Sequence, residues 1–152
     1  MHRRPRLSGL LAALAPAVLV LAACAGDTDA APDGDDPACA GVVDRAPATL
    51  LGADRAEASA AGVAVWEGDA GTIVMRCGAD PLGATSDPCI AVDDVDWVFT
   101  ADADPLRFQS FGRTPAVELS VPEGFGRDRA PGALGELAAA VRPLASDGNP
   151  CD

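Results

Sequence analysis

Apolar residues follow three different rhythms along the chain. They run almost unbroken from Leu7 to Ala23, fall in short clusters and alternations from Val63 to Val121, and recur at three- and four-residue spacing from Leu134 to Val141. Each rhythm predicts a different kind of element. Alternation is clearest over Ala116–Val121, where Val117, Leu119 and Val121 share one side and Glu118 and Ser120 the other, the mark of a strand with one buried face. Leu106–Phe111 alternates with apolar side chains on both faces. Val63 and Val65, then Ile73, Val74 and Met75 leading to Cys77, flank the turn-forming residues Glu67, Gly68, Asp69, Ala70 and Gly71. Ile90–Val92, continued through Val95, Trp97, Val98 and Phe99, reads as a further strand with Asp93, Asp94 and Asp96 as polar interruptions. The link Gly112-Arg113-Thr114-Pro115 suits a hairpin.

The clearest helix comes last. Leu134, Leu137, Ala138 and Val141 lie along one face, Pro131 is placed as a first helical residue, and Pro143 stops the helix near Arg142. A short helix is expected over Cys39–Arg45, ending near Ala46 because Pro47 disfavours helical geometry before it. Asp54–Ala61, rich in Ala and Glu, predicts another turn or two of helix up to Gly62. The expected fold is α+β, a small antiparallel meander of about four strands packed against the C-terminal helix.

The unbroken run is a different matter. It follows His2, Arg3, Arg4 and Arg6, contains Gly9 and Pro16, and falls short of the roughly 20 residues that span a bilayer. It ends in Leu21-Ala22-Ala23-Cys24, which looks like a bacterial lipoprotein signal: residues 1–23 would be removed and Cys24 would carry the lipid as the new N-terminus. The alternative is an ordinary signal peptide, or an uncleaved anchor, with a cysteine near its end by chance. After it, Asp27, Asp29, Asp33, Asp35 and Asp36 punctuate a stretch without large apolar side chains, so residues 24–37 are expected to form an acidic disordered tether. Residues 38–152 are then the single domain.

Composition narrows the partners. The formal net charge is −12 and lysine is absent, which argues against nucleic acid, whose phosphates need clustered cations. Four cysteines besides Cys24 suggest two disulfides in an exported domain, with three connectivities open. The favoured pairing is Cys77–Cys89, closing a short loop, with Cys39–Cys151 joining the domain's ends. No Cys-x-x-Cys pair points to redox catalysis, and the scatter of the cysteines does not resemble a zinc site.

His2, the only histidine, would leave with the signal, and tyrosine is absent, so no familiar nucleophile system can be assembled. No catalytic residue, metal ligand or cofactor is expected. Asp93, Asp94 and Asp96, with Asp102 and Asp104, are weighed as a calcium or acid–base cluster against the plainer reading of solvated turn residues. Arg76 and Arg113 are candidate contacts for a carboxylate ligand, with an internal salt bridge as the competing use. Trp66 and Trp97 are candidate ligand surfaces, or else the centre of the core.

The order of several pieces carries a resemblance: a cysteine near the domain start, Val65-Trp66, Ile73-Val74-Met75-Arg76-Cys77-Gly78, a second cysteine, Val95-Asp96-Trp97, Phe111-Gly112-Arg113 and Val117-Glu118-Leu119-Ser120-Val121-Pro122. Together they resemble the actinobacterial secreted family catalogued as domain of unknown function 3515. The resemblance implies a small exported or lipid-anchored domain and brings no established activity. The leading expectation is a non-catalytic lipoprotein domain on the extracytoplasmic face of the cell membrane, which binds or scaffolds another envelope protein. A binder of a small ligand or cell-wall fragment is the alternative, and a carboxylate hydrolase comes third.

Overall fold

A computed structural model describes residues 28–100 and 102–151. The predicted signal, Cys24 and the start of the tether lie outside the described residues. Among the described residues the first element is helix α1 (Pro37–Arg45), followed by strands β1 (Thr49–Leu50), β2 (Ala53–Ala56), β3 (Val63–Gly68) and β4 (Gly71–Ala79). After a long connection come β5 (Cys89–Val92), β6 (Val95–Thr100), β7 (Leu106–Phe111), β8 (Arg113–Thr114) and β9 (Ala116–Val121). A 3-10 turn (Glu123–Phe125), helix α2 (Gly132–Val141) and β10 (Ala145–Ser146) complete the fold.

The α+β class holds, but the sheet is larger than the expected four strands. Eight strands pair antiparallel in the order β1-β2-β3-β4-β9-β7-β6-β5, while β8 and β10 form a separate small ladder. Two consecutive runs, β1–β4 and β5–β7, are joined through β9, which lies between β4 and β7. The single strand expected from Ile90 to Phe99 is a hairpin. Asp93 and Asp94, with φ of 49° and 64°, form its two-residue turn between the paired Val92 and Val95. Both left-handed residues match the turn geometry that suits strand twist, and aspartate tolerates it better than most side chains.

The Asp54–Ala61 helix does not form. Leu51 and Gly52, with φ of 51° and 85°, turn β1 back into β2, whose Arg55 and Ala56 pair with Trp66 and Val65 of β3. Pairing beside a buried strand outweighs the weak helical preference of Ala and Glu.

One sheet face packs on both helices. The resulting core holds Trp66, Ile73, Met75, Trp97, Phe108 and Leu119 from the strands, Val42 from α1, and Leu134, Leu137 and Val141 from α2. The opposite face carries a second, smaller apolar group, Val63, Val65 and Val74.

The favoured cysteine pairing is overturned: the disulfides are Cys39–Cys77 and Cys89–Cys151. Three strands separate β4 from β5, so Cys77 and Cys89 sit about 19 Å apart at ordinary strand spacing, beyond the reach of a disulfide. Cys77 points into the core, where α1 presents Cys39, and both are fully buried. Cys89, on the outer edge strand, is reached by the C-terminal tail.

The ordered domain also starts before Ala38. Asp36 caps α1, its carboxylate accepting from the Ala38 N–H at 2.7 Å, and Pro37 opens the helix. Ala31 and Gly34 are buried, and the Asp33 N–H donates to the Gly78 carbonyl at 2.9 Å. Gly78 (φ +102°) permits this contact, because a Cβ there would lie 2.3 Å from the Asp33 backbone. The tether expectation therefore fails for the part that docks at Gly78.

Candidate functional site

The four residues singled out from the sequence are not brought together. Trp66 and Trp97 are fully buried in the core and line no ligand surface. The Trp66 indole donates to the Pro47 carbonyl at 2.9 Å, while the Trp97 indole N–H has no acceptor. Arg113 grips backbone rather than a carboxylate: it donates to the carbonyls of Arg142 at 2.9 Å, Leu144 at 3.0 Å and Asp94 at 2.6 Å. It thereby closes the C-terminal end of α2, where carbonyls lack helical partners, and ties that end to the β5–β6 turn.

Arg55, which the sequence reading passed over, serves α1 in a similar way. Its guanidinium stacks 5.1 Å from the Trp66 ring and reaches the carbonyls of Val43 and Ala46 at 3.4 Å. Burial lowers its pKa from the usual arginine value, an effect opposed by the Asp44 carboxylate. The sequence signal was an arginine in a register that places it on the face shared with a tryptophan, visible only once β2 is known to be a strand.

The aspartates are dispersed by the hairpins. Asp94 is largely exposed, 3.8 Å from Arg142, Asp96 accepts from the Cys151 N–H at 2.9 Å, and Asp104 accepts from the Glu123 N–H at 3.3 Å. Among the described residues no group of three His, Cys, Asp or Glu is placed to hold a metal.

Arg76, like Arg113, is half-buried near open surface. It pairs with Glu118 directly across β4 and β9 on the outer face, with side chains 24% and 31% exposed. Strand register extends this row through Gln109 and Val98 to Cys89. A second row runs from Val74 through Ser120 and Arg107 to Thr100. The 80–88 connection arches over these rows on its way from β4 to β5. The Gln109 amide donates to the Asp80 carbonyl at 2.7 Å, and Leu82, alone in an otherwise exposed segment, is half-buried.

Beneath the arch is a cavity of about 150 Å³, lined by Leu82, Asp87, Val98, Arg107, Gln109 and Glu118 among others. A neighbouring cavity of about 160 Å³ shares Asp87 and Val98 and extends to Cys151. On the other side of the sheet, at the β5 edge, Ile90, Phe99 and Pro131 are half-buried around an apolar cavity of about 150 Å³.

The outer cleft can supply mixed hydrogen-bond donors and acceptors to a small polar molecule. The fold as a whole defines a small disulfide-tied α+β domain, and its two disulfides point to an extracytoplasmic protein. The chain belongs to the family described as Protein of unknown function (DUF3515), whose model matches residues 10–148. No curated protein and no solved structure matches the chain significantly.

Proposed function

We propose that this chain is a lipid-anchored domain of the actinobacterial envelope that binds an envelope component without performing chemistry on it. The anchor rests on Leu21-Ala22-Ala23-Cys24 after a basic and apolar start, and the absence of lysine fits a high-GC source. The observation that carries the binding part is the cleft under the 80–88 arch, which combines Arg107, Glu118, Asp87 and Gln109 on one walled surface. Elsewhere the arginines and aspartates considered for chemistry hold carbonyls and turns. A protein partner is favoured by a separate observation, the apolar cavity beside edge strand β5, where Ile90 and Phe99 are only half-buried.

Cell fractionation and cross-linked capture test this reading. Wild-type protein should sediment with membranes and retain an envelope component reproducibly, whereas Cys24→Ser should appear in the soluble exported fraction, folded and with both disulfides intact. Equal membrane association of the two forms would refute the anchor. Turnover of the captured component by the purified protein would refute the non-catalytic reading.

A further inference from the structure

We propose that the groove over the outer face of β3 and β4 docks an extended segment of a partner protein that carries lysine or arginine side chains. This rests on the reading of the domain as a binding module and names a second surface on it. The groove, of about 610 Å³, is walled by residues 57–60 and by the chain at Thr28 and Asp29. Its floor is apolar: Val65 and Val74, paired directly across β3 and β4, belong to the smaller apolar group of the outer face. The volume falls within the roughly 300–1,000 Å³ range of ligand-sized sites.

The charge around that floor is of one sign. Asp29, Glu57 and Glu67 line the groove, and no arginine does. Beside it, Asp54 stands directly opposite Glu67 across β2 and β3, and like charges so placed destabilise one another. The ion pairs Arg76–Glu118, Arg127–Glu123 and Arg142–Asp94 use other acids. The groove carboxylates are too dispersed for a single metal ion, since no group of three His, Cys, Asp or Glu among the described residues is placed to hold one. A chain bearing several separate cationic heads fits such spacing. Lysine and arginine lay their aliphatic stems on apolar surface and keep their heads in water, which matches a valine floor between acidic walls. The net charge of −12 draws a cationic partner toward the protein, and the chain has no lysine of its own to supply.

Fluorescence anisotropy of the labelled peptide Lys-Val-Lys-Val-Lys, titrated with the detergent-extracted, membrane-derived protein, tests the assignment. A second peptide with norleucine for lysine keeps the stems and lacks the charges. The lysine peptide should bind saturably and the norleucine peptide at least about tenfold more weakly. Glu57→Gln with Glu67→Gln should weaken the lysine peptide by about tenfold and melt no lower than wild type, because it relieves the repulsion at Asp54. Asp102→Asn with Asp128→Asn removes the same charge away from the groove and should weaken binding by less than about twofold. Equal weakening by the two double variants would reduce the binding to general charge attraction and overturn the proposal. So would no saturable binding at millimolar protein, equal binding of the norleucine peptide, or displacement by spermine at the affinity of the peptide, which would make the groove a small polyamine site. Such a result on protein that still retains its captured envelope component removes the peptide assignment and leaves the binding reading standing. Loss of that component removes the binding reading itself.

Discussion

Trp66 and Trp97 are equally buried, yet only Trp66 has an acceptor for its indole N–H. Replacing each with phenylalanine removes a similar volume, so the hydrogen bond should separate them. Trp66→Phe is expected to cost about 1 kcal/mol more than Trp97→Phe in denaturant unfolding, because it leaves the Pro47 carbonyl without its donor, whereas Trp97→Phe removes an unpaired buried donor. That the two tryptophans could form the centre of the core was legible in a sequence with few aromatics, beside the competing reading of a ligand surface. Which one is hydrogen-bonded was not, since Pro47 reaches Trp66 only through the packing of the α1–β1 link against β3. Arg113 shows the same limit. Its place in a hairpin could be read from Gly112 and Pro115, but its acceptors come from the far end of α2 and from another hairpin. Charge complementarity suggested a carboxylate; the uncapped carbonyls of a helix end were the stronger local demand.

At the scale of elements, β7 and β9 have the bounds that alternation predicts, and α2 has the expected apolar face. Periodicity is informative there because each element buries one side. It failed at Asp93-Asp94, where two acidic residues looked like interruptions of one strand but make the turn between two. It also failed at Asp54–Ala56, where the partner strand decides the conformation.

The cysteine pairing was illegible for a related reason. Proximity in sequence favours short loops, but the 80–88 connection carries the chain across three intervening strands. The disulfides differ in exposure: Cys39 and Cys77 are fully buried, whereas Cys89 and Cys151 are half-buried at the sheet edge and tail. Limiting thiol reductant should therefore open Cys89–Cys151 first, since exchange requires access to a sulfur. Differential alkylation followed by peptide mapping should find label on Cys89 and Cys151 before Cys39 and Cys77, and the reverse order would contradict this packing.

At the scale of the molecule, the five cysteines divide between two tasks. Four close the domain, with one bond fastening α1 to the sheet and the other fastening the tail to its edge. In the loop-entropy model each cross-link contributes roughly 4 kcal/mol, a large share of a small domain's stability. Cys24 is proposed to have the remaining task of holding the domain at the membrane. The acidic segment after it is shorter as a tether than composition suggested, since the chain already docks against Gly78 through Asp33. Mass spectrometry of proteolytic fragments from the membrane-extracted, unreduced protein tests that division of labour most directly. The expected result is an N-terminal fragment beginning at Cys24 with the mass of a lipid added, together with the linked fragments Cys39–Cys77 and Cys89–Cys151; an unmodified Cys24 still preceded by residues 1–23 would contradict that division.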